Sequence, residues 1–493
     1  MSPISSTRRT DELDRLTSDR LRRRAFLSRS GLGIGSVALS SLLSVPTARA
    51  NPSPQRERFP GLPGLPHLPP KIKRVIFLCM AGGPSHLETF DYKPQLAALH
   101  GQPMPESFTK GQPIAQLQNA QLQAHGPMFK FGQYGGGGQW ISEVLPWHQK
   151  MADDICIINS MTTEQINHDP AHTFMNCGTA ISGRPSMGAW INYGLGSETS
   201  DLPGFVVLTS VGGRLSCQPI ASRQWSSGFL PSRFQGVEFA SSGEPVHYVQ
   251  NPPGISARLQ RASVDTIQQI DRLADPLFEN DEIDARVSAF ETAFRMQTAV
   301  PELIDTRDEP SHVFELYGAT PGDGSFGSNC ILARRLAERG VRFIHLYHRG
   351  WDHHGDLQRD IVECARHTDR ASYALITDLK QRGMLDETLV VWGGEFGRTP
   401  MVQNKGKTAG RDHHIKGFSI WLAGGGIRTG GSYGATDELG YHAVEKPVHV
   451  RDLHATMLHL LGIDHSQFSY RFQGLDLKLT GVEEAHILRE ILG

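Results

Sequence analysis

One stretch of this sequence, Val341–Asp356, joins a buried strand to residue types that bind metal ions. Its first part, VRFIHLY, is a β-branched and aromatic run, which is typical of a buried strand. A turn reading WDHHGD follows, in which Asp352 and His354 stand two residues apart. Because open α/β sheets bind ligands where strands end and loops begin, both side chains could point at one cation. The alternative is a polar loop with a fortuitous pair of histidines.

A later strand, TLVVW, ends in GGEFGRTP and places Glu395 between glycines. A carboxylate at a strand end is a suitable metal ligand, and Arg398 beside it could hold an anionic oxygen. The alternative is an ion pair between these two residues within a turn. The next motif, GRDHH, adds Asp412 and His413 as candidate ligands shortly before another strand.

Two further histidine-containing turns follow strands earlier in the chain. In NHDPAHTFMNCG, His168 and His172 are four residues apart, so a helix would place them on one face, where they could serve a metal or an oxyanion. The alternative, a helix start capped by Asp169, is compatible with this role. The strand KRVIFLCM runs into AGGPSH, where His86 is a candidate metal or substrate residue, or otherwise a surface histidine.

The elements that must position these residues are strands alternating with helices. This alternation predicts a mostly parallel sheet with helices on both faces. Residues 211–255, rich in Ser, Gly and Pro, are interpreted as a surface insertion on the substrate side or as a partner surface. The sequence therefore predicts one large α/β domain over residues 71–493, interrupted by this insertion.

The first fifty residues have the composition of an export signal. A polar start is followed by RRRAFL, an apolar run of about 13 residues and a small-x-small cleavage site, ARA. The arginine pair resembles a twin-arginine signal, and the apolar run is shorter than the ~20 residues of a membrane span. We expect residues 1–50 to be a cleaved signal peptide, 51–70 to be a Pro/Gly-rich linker, and the mature protein to be periplasmic or extracellular with no stable membrane span.

The charge of the mature chain excludes one class of partner. Beyond residue 50 the sequence holds 40 Lys+Arg against 47 Asp+Glu and all 22 histidines. A net charge of about −7 argues against a nucleic-acid surface. The six cysteines show no C-x-x-C spacing, so a zinc ribbon is not expected.

Taken together, GGPSHLETFD, HDPAHTFMNCG, GWDHHGD, GGEFGRTP and GRDHH resemble the DUF1501 family over roughly residues 70–490. That family is grouped with the alkaline phosphatase–sulfatase superfamily. The resemblance implies an α/β fold, an alkaline-phosphatase-like three-layer α/β/α sandwich with a mostly parallel sheet. It places Asp352, His354 and His413 at metal-ligand positions, Glu395 at a position where the superfamily has an Asp, and His168 and His172 where it has the nucleophile and an Arg.

Two departures from the superfamily pattern bear on the reaction. The first strand lacks the usual Asp at its end, and the usual Ser or Thr nucleophile is absent. Cys217–Ala221 lacks the Arg of a sulfatase signature, so a formylglycine sulfatase is not expected.

The sequence thus predicts an exported, metal-dependent hydrolase of phosphate, sulfate or related esters. The predicted catalytic residues are His168, His172 and Arg398; the predicted metal ligands are Asp352, His354, Glu395, Asp412, His413 and His86. A mixed nitrogen and oxygen ligand set suits zinc, with manganese or iron as alternatives. The expected substrate is an anionic ester, for example in a sulfated or phosphorylated polymer. The alternative function is a catalytically inactive alkaline-phosphatase-like fold that acts as an exported binding protein.

Overall fold

The computed structural model describes residues 61–493, apart from residues 113, 119–120, 213–219, 242–245, 247–250, 252–253, 279–280 and 405. The predicted signal peptide and the first half of the predicted linker lie outside the described residues. So do Cys217 and much of the predicted insertion. Among the described residues, no helix combines the length and the apolarity that a membrane span requires.

The strands of the described chain fall into one large sheet and several two-stranded ribbons. In chain order they are β1 (Arg74–Met80), β2 (Phe131–Tyr134), β3 (Gln139–Ser142), β4 (Cys156–Thr162), β5 (Phe205–Thr209), β6 (Val237–Phe239), β7 (Phe343–His348), β8 (Thr388–Gly393), β9 (Gly397–Gln403), β10 (Gly410–His414), β11 (Phe418–Gly424), β12 (Gly431–Tyr433), β13 (Ala435–Thr436), β14 (Ala443–Glu445), β15 (Val448–His449), β16 (Tyr470–Phe472) and β17 (Leu475–Leu477).

The helices pack mainly around the large sheet. In chain order they are α1 (His86–Thr89), α2 (Pro94–Ala98), α3 (Glu106–Thr109), α4 (Pro146–Lys150), α5 (His168–Cys177), α6 (Met187–Leu195), α7 (Ala257–Phe278), α8 (Asp281–Ile304), α9 (Ser311–Tyr317), α10 (Phe326–Glu338), α11 (Leu357–Gln381) and α12 (Val450–Leu460).

The large sheet is mixed but mostly parallel. Its strand order is β12-β4-β11-β8-β1-β7-β5-β6, and β15 also pairs with β4. Only β11 runs antiparallel to both of its neighbours, β4 and β8, within the described sheet. The remaining pairings are parallel.

Strand β1 shows why helices cover both faces of this sheet. Each of its seven residues is buried, and alternate side chains of a strand point to opposite faces. Ile76 and Leu78 therefore pack into a core that α10 and α11 complete, whereas Phe77 packs into a second core with α6 and α12. The predicted three-layer α/β/α class is confirmed.

The central strands bring three turns to one edge of the sheet. Strand β1 lies between β7 and β8, parallel to both, with Met80 opposite His348 and Cys79 opposite Gly393. The turns that leave these three strands therefore start side by side. The ribbon of β9 and β10 follows β8 directly and is antiparallel.

Two predicted surface segments are more integrated than their composition suggests. Within the predicted linker, the Leu62 and Leu68 amides donate to the carbonyls of Gly194 and Gly462. Within the predicted insertion, β6 pairs with β5 as an edge strand of the main sheet, and Phe239 is fully buried. Apolar residues scattered among Ser, Gly and Pro therefore anchor this insertion.

Candidate metal centre

Four side chains converge on one point beyond the carboxyl ends of the central strands. They are His168, Asp352, His354 and His413, and their ligand atoms all lie within 4.8 Å of one another. The Nε2 atoms of the three histidines stand 3.3, 2.9 and 3.4 Å from Asp352 Oδ1, respectively. Ligand atoms about 3.3 Å apart are expected around a tetrahedral zinc ion with bonds of about 2.0–2.1 Å.

Each ligand comes from a different element of the fold, except that one turn supplies two. His168 is the first residue of α5, which begins after β4. Asp352 and His354 lie in the turn between β7 and α11, where the sequence predicted them. His413 lies on β10, directly opposite Arg398 in the β9–β10 ribbon.

The second nitrogen of each histidine has a hydrogen-bond acceptor. His413 Nδ1 donates to the carbonyl of Ile166 at 2.7 Å, and His354 Nδ1 donates to Gln403 Oε1 at 2.5 Å. His168 Nδ1 lies 2.6 Å from Glu395 Oε1. A carbonyl can only accept, so a neutral His413 must carry its proton on Nδ1 and present a lone pair at Nε2. Outer partners of this kind orient metal-binding imidazoles.

The lone pairs of two histidines face each other across the cluster. His354 Nε2 and His413 Nε2 are 2.8 Å apart. Burial lowers the pKa of His413 to about 4, despite the nearby carboxylate of Asp352. When both rings carry their protons on Nδ1, neither Nε2 atom can donate to the other, and a cation between them would accept both lone pairs. The residues present therefore fit a divalent metal.

Arg398 fixes the carboxylate of the cluster. It is fully buried, and its Nη2 donates to Asp352 Oδ1 at 2.6 Å. Its other donors bond the carbonyls of Gly82, Gly83 and Arg411. Burial raises the pKa of Asp352, but the three imidazoles around its Oδ1 and the charge of Arg398 outweigh this effect and hold that pKa well below its usual range. In this arrangement Arg398 holds Asp352 in place, and its contact with a substrate anion stays a prediction.

Glu395 lies beneath the cluster. Its carboxylate is fully buried and accepts the amides of Gly82 and Gly83 at 3.1–3.2 Å as well as the proton of His168 Nδ1. Burial raises the pKa of Glu395, but the charge of His172 and the hydrogen bond from His168 lower it to about 2. Both oxygens of Glu395 accept hydrogen bonds from the protein. Its position therefore fits an outer carboxylate that orients His168 better than it fits the predicted role of a metal ligand.

The two positions whose amides bond Glu395 have no room for a side chain. Gly82 has φ +126°, and a Cβ there would lie 2.4 Å from the backbone nitrogen of Asp352. A Cβ at Gly83 would lie 2.6 Å from the ring of Phe396. The Gly82–Gly83 turn can therefore touch the loop that carries Asp352 and also point two amides at Glu395.

His172 follows His168 by one helical turn and faces the same carboxylate, as the spacing predicted. Its Nε2 lies 3.4 Å from Glu395 Oε1, and the side chain is fully buried. Burial lowers the pKa of His172 despite the nearby carboxylate. His168, His172 and Glu395 form a second group of potential metal ligands, but the 2.6 Å separation of the first and third fits a hydrogen bond.

Two predicted ligands are not brought into the cluster. His86 is buried in α1 and bonds the carbonyl of Gly440 through Nε2 at 2.9 Å. Asp412 bonds the backbone amides of Gln116 and Leu117 through Oδ2 at 2.6 and 2.9 Å. Because Asp412 and His413 are neighbours on β10, their side chains leave the strand in different directions. The geometry therefore excludes both His86 and Asp412 from the ligand set around Asp352 Oδ1.

The sequence reasoning missed the amide residues around the cluster. Gln403 and Gln116 contact His354 and each other, and the Ile166 carbonyl fixes His413. Uncharged amides in turns carry no distinctive sequence signal. The pairing of β9 with β10, which the sequence analysis did not predict, places Gln403 opposite Gly410.

The chain belongs to the DUF1501 family, described as a protein of unknown function, which matches residues 72–492. A search of curated proteins gives no match. Among solved structures, the chain is similar to a phosphonate monoester hydrolase from Silicibacter pomeroyi, with 10% identity, coverage of 85% of this chain and 76% of that one, and a TM-score of 0.34.

Two other similar structures are also enzymes by their titles. The lipoteichoic acid synthase LtaP from Listeria monocytogenes is 11% identical, with coverage of 83% and 74% and a TM-score of 0.34. The TAB5 alkaline phosphatase mutant with Mg bound is 12% identical, with coverage of 74% and 94% and a TM-score of 0.29. At such TM-scores these likenesses do not bear on the reaction of this chain.

Proposed function

We propose that this protein is an exported, metal-dependent hydrolase of phosphate, sulfate or related esters. The observation that carries the proposal is the convergence of three imidazole Nε2 atoms on Asp352 Oδ1, each imidazole held by a separate acceptor. Burying so many lone pairs and a carboxylate together is costly without a cation. Three imidazoles and one carboxylate suit zinc, with manganese or iron as alternatives.

The proposed site is partly exposed to solvent. The side chains of Asp352 and His354 are 14% and 22% exposed, whereas those of Glu395 and Arg398 beneath them are fully buried. A divalent cation bound there would supply Lewis-acid chemistry and lower the pKa of water toward about 7. His168, Asp352, His354 and His413 would hold that cation, with Arg398 keeping Asp352 in place and Glu395 keeping His168 in place.

The proposed hydrolysis does not use a serine hydroxyl or a cysteine thiol as the nucleophile. Ser85, at the end of the first crossover, is fully buried and its hydroxyl donates to Glu88. Cys177 is buried in α5, and burial raises the pKa of its thiol to about 12. Neither group can serve as an accessible nucleophile, so the proposed hydrolysis uses water. His168 is proposed as a ligand in place of a nucleophile.

The first experiment is elemental mass spectrometry of mature protein purified without added metal or chelator. We expect about one equivalent of zinc, manganese or iron. Asp352→Asn should lose it, while Asp412→Asn, which changes a neighbouring carboxylate that bonds only backbone amides among its described contacts, should retain it. Loaded protein is then tested on chromogenic phosphate, sulfate and phosphonate esters.

The hydrolase proposal would be refuted if the purified protein contained no metal and did not bind added metal. The binding-protein alternative would then direct attention to the 211–255 segment. One described residue of this segment, Arg223, forms an ion pair with Asp169, which follows His168 in the first turn of α5. A polymer-binding surface there is proposed only under that outcome.

A further inference from the structure

The side chain of Gln116 lies over the exposed side of the metal cluster. Its Nε2 atom is 3.3 Å from His354 Nε2. The side chain is exposed, but its backbone is fixed, because the amides of Gln116 and Leu117 both donate to Asp412 Oδ2 and Leu117 is buried. A group with an exposed tip on a fixed backbone is suited to contacting a ligand.

The orientation of the Gln116 amide follows from metal binding at His354. If Nε2 of His354 faces a cation, its proton must be on Nδ1, which donates to Gln403 Oε1. The Gln403 NH₂ group then faces Gln116 Oε1, to which it donates at 2.8 Å. The NH₂ group of Gln116 is therefore the end that points at the cluster. The tautomer of His354 thus fixes the orientation of the Gln403 amide, which in turn fixes the orientation of the Gln116 amide.

The Nε2 atom of Gln116 lies within hydrogen-bond distance of His354 Nε2. If a cation takes up the lone pair of that nitrogen, the NH₂ group, which cannot itself coordinate a cation, is left to donate to another acceptor. An oxygen of an anion bound beside His354 would be such an acceptor. Arg398 is less suited to this role, because it is fully buried and its donors already bond Asp352 and backbone carbonyls.

We propose that Gln116 is a substrate-contact residue that donates a hydrogen bond to an anionic oxygen of a phosphoryl or sulfuryl group held at the cluster. This inference rests on the proposed function and narrows it to tetrahedral oxyanions. Preorganised donors aimed at such an oxygen also stabilise charge that develops during ester cleavage.

The test uses inorganic phosphate as the probe. Zinc-loaded protein is titrated with phosphate by calorimetry, and zinc stoichiometry is measured on the same samples. Gln116→Ala should weaken phosphate binding about tenfold with zinc stoichiometry unchanged. Gln116→Glu should abolish phosphate binding through charge repulsion and should tighten zinc binding, because it places a carboxylate beside the imidazoles.

The matched control is Gln118→Ala. Gln118 is exposed on the same segment, but its amide bonds the Ile114 carbonyl at 2.9 Å. Phosphate affinity should therefore stay within about twofold of the unsubstituted protein.

Three outcomes would overturn the inference. If zinc and phosphate bind but Gln116→Ala leaves the phosphate affinity unchanged, Gln116 is not a contact, although the metal site stands. If zinc binds and phosphate does not, the site does not receive tetrahedral oxyanions. If zinc itself does not bind, the proposed function and this inference fail together.

Discussion

Replacing Glu395 by glutamine tests whether a buried carboxylate orients the metal-binding face of His168. The substitution keeps the size of the side chain but removes the charge that His168 Nδ1 meets at 2.6 Å. It also places an NH₂ group at one of the two oxygens, for example at Oε2, which now accepts the amides of Gly82 and Gly83. The new NH₂ group must then face one of the donors that now bond Glu395, in a site without exposure to solvent.

The expected magnitudes follow from these contacts. Loss of an outer partner of a metal-binding histidine typically weakens metal affinity 10- to 100-fold, or about 1.4–2.8 kcal/mol. A buried donor left without an acceptor costs a further ~1–3 kcal/mol of folding free energy. We therefore expect Glu395→Gln to keep one equivalent of metal at saturation, but with a Kd raised 10- to 100-fold.

The assay is competition for zinc against a chromogenic chelator, combined with urea denaturation of the metal-free protein. Asp452→Asn is the control, because Asp452 is another buried carboxylate that accepts two backbone amides, those of His449 and His486. Asp452 caps α12. The control should lose stability without losing zinc affinity.

Two results would refute this reasoning. An unchanged zinc Kd in Glu395→Gln would show that the carboxylate does not orient His168. Loss of one of two equivalents found in the unsubstituted protein would show that Glu395 is itself a ligand, in a second site with His168 and His172.

Three further predictions concern stability. Gly82→Ala should lower the free energy of unfolding by more than about 3 kcal/mol in urea denaturation, because its Cβ would meet backbone at 2.4 Å, while Gly383→Ala, also at positive φ but in open space, should lose only about 1–2 kcal/mol. Arg398→Lys should cost about 2–4 kcal/mol and weaken zinc binding, because one ammonium cannot serve a carboxylate and three carbonyls; equal denaturation midpoints would contradict this. Burial lowers the pKa of His348 to about 3 and that of His454 to about 4. When the pH falls below about 6.5, both histidines therefore become protonated in the unfolded chain but stay neutral in the folded protein. Their stabilising contribution is complete above pH ~6.5 and should fall by about 2 kcal/mol each by pH 5, measured by urea denaturation at pH 7 and pH 5.

Much of the fold could be predicted from the sequence because the central strands are buried on both faces. The apolar runs that contain β1, β7 and β8 have no polar alternation, which is typical of strands covered by helices on both sides. Strand β6 could not be predicted in the same way. It is three residues long, and its pairing with β5 is decided by tertiary packing.

The ligand turn was predictable for a similar reason. Asp352 and His354 stand where a buried strand gives way to a glycine-containing turn, and the structure places both in the cluster. The sequence could not decide between Asp412 and His413, because that choice depends on the direction in which each side chain leaves β10. It also could not distinguish a ligand from an outer carboxylate at Glu395, since only the positions of Gly82 and Gly83 reveal that difference.

The Gly82–Gly83 turn has a consequence for where the protein acquires its metal. Its two amides hold Glu395 and its two carbonyls hold Arg398, so one turn supports both His168 and Asp352. These contacts exist only after three parallel strands from distant parts of the chain have docked in register. High-affinity metal binding is therefore a property of the finished topology. If the chain is exported in its folded state, as the resemblance of its leader to a twin-arginine signal predicts, the proposed cation would be bound in the cytoplasm, before the protein reaches the compartment in which it works.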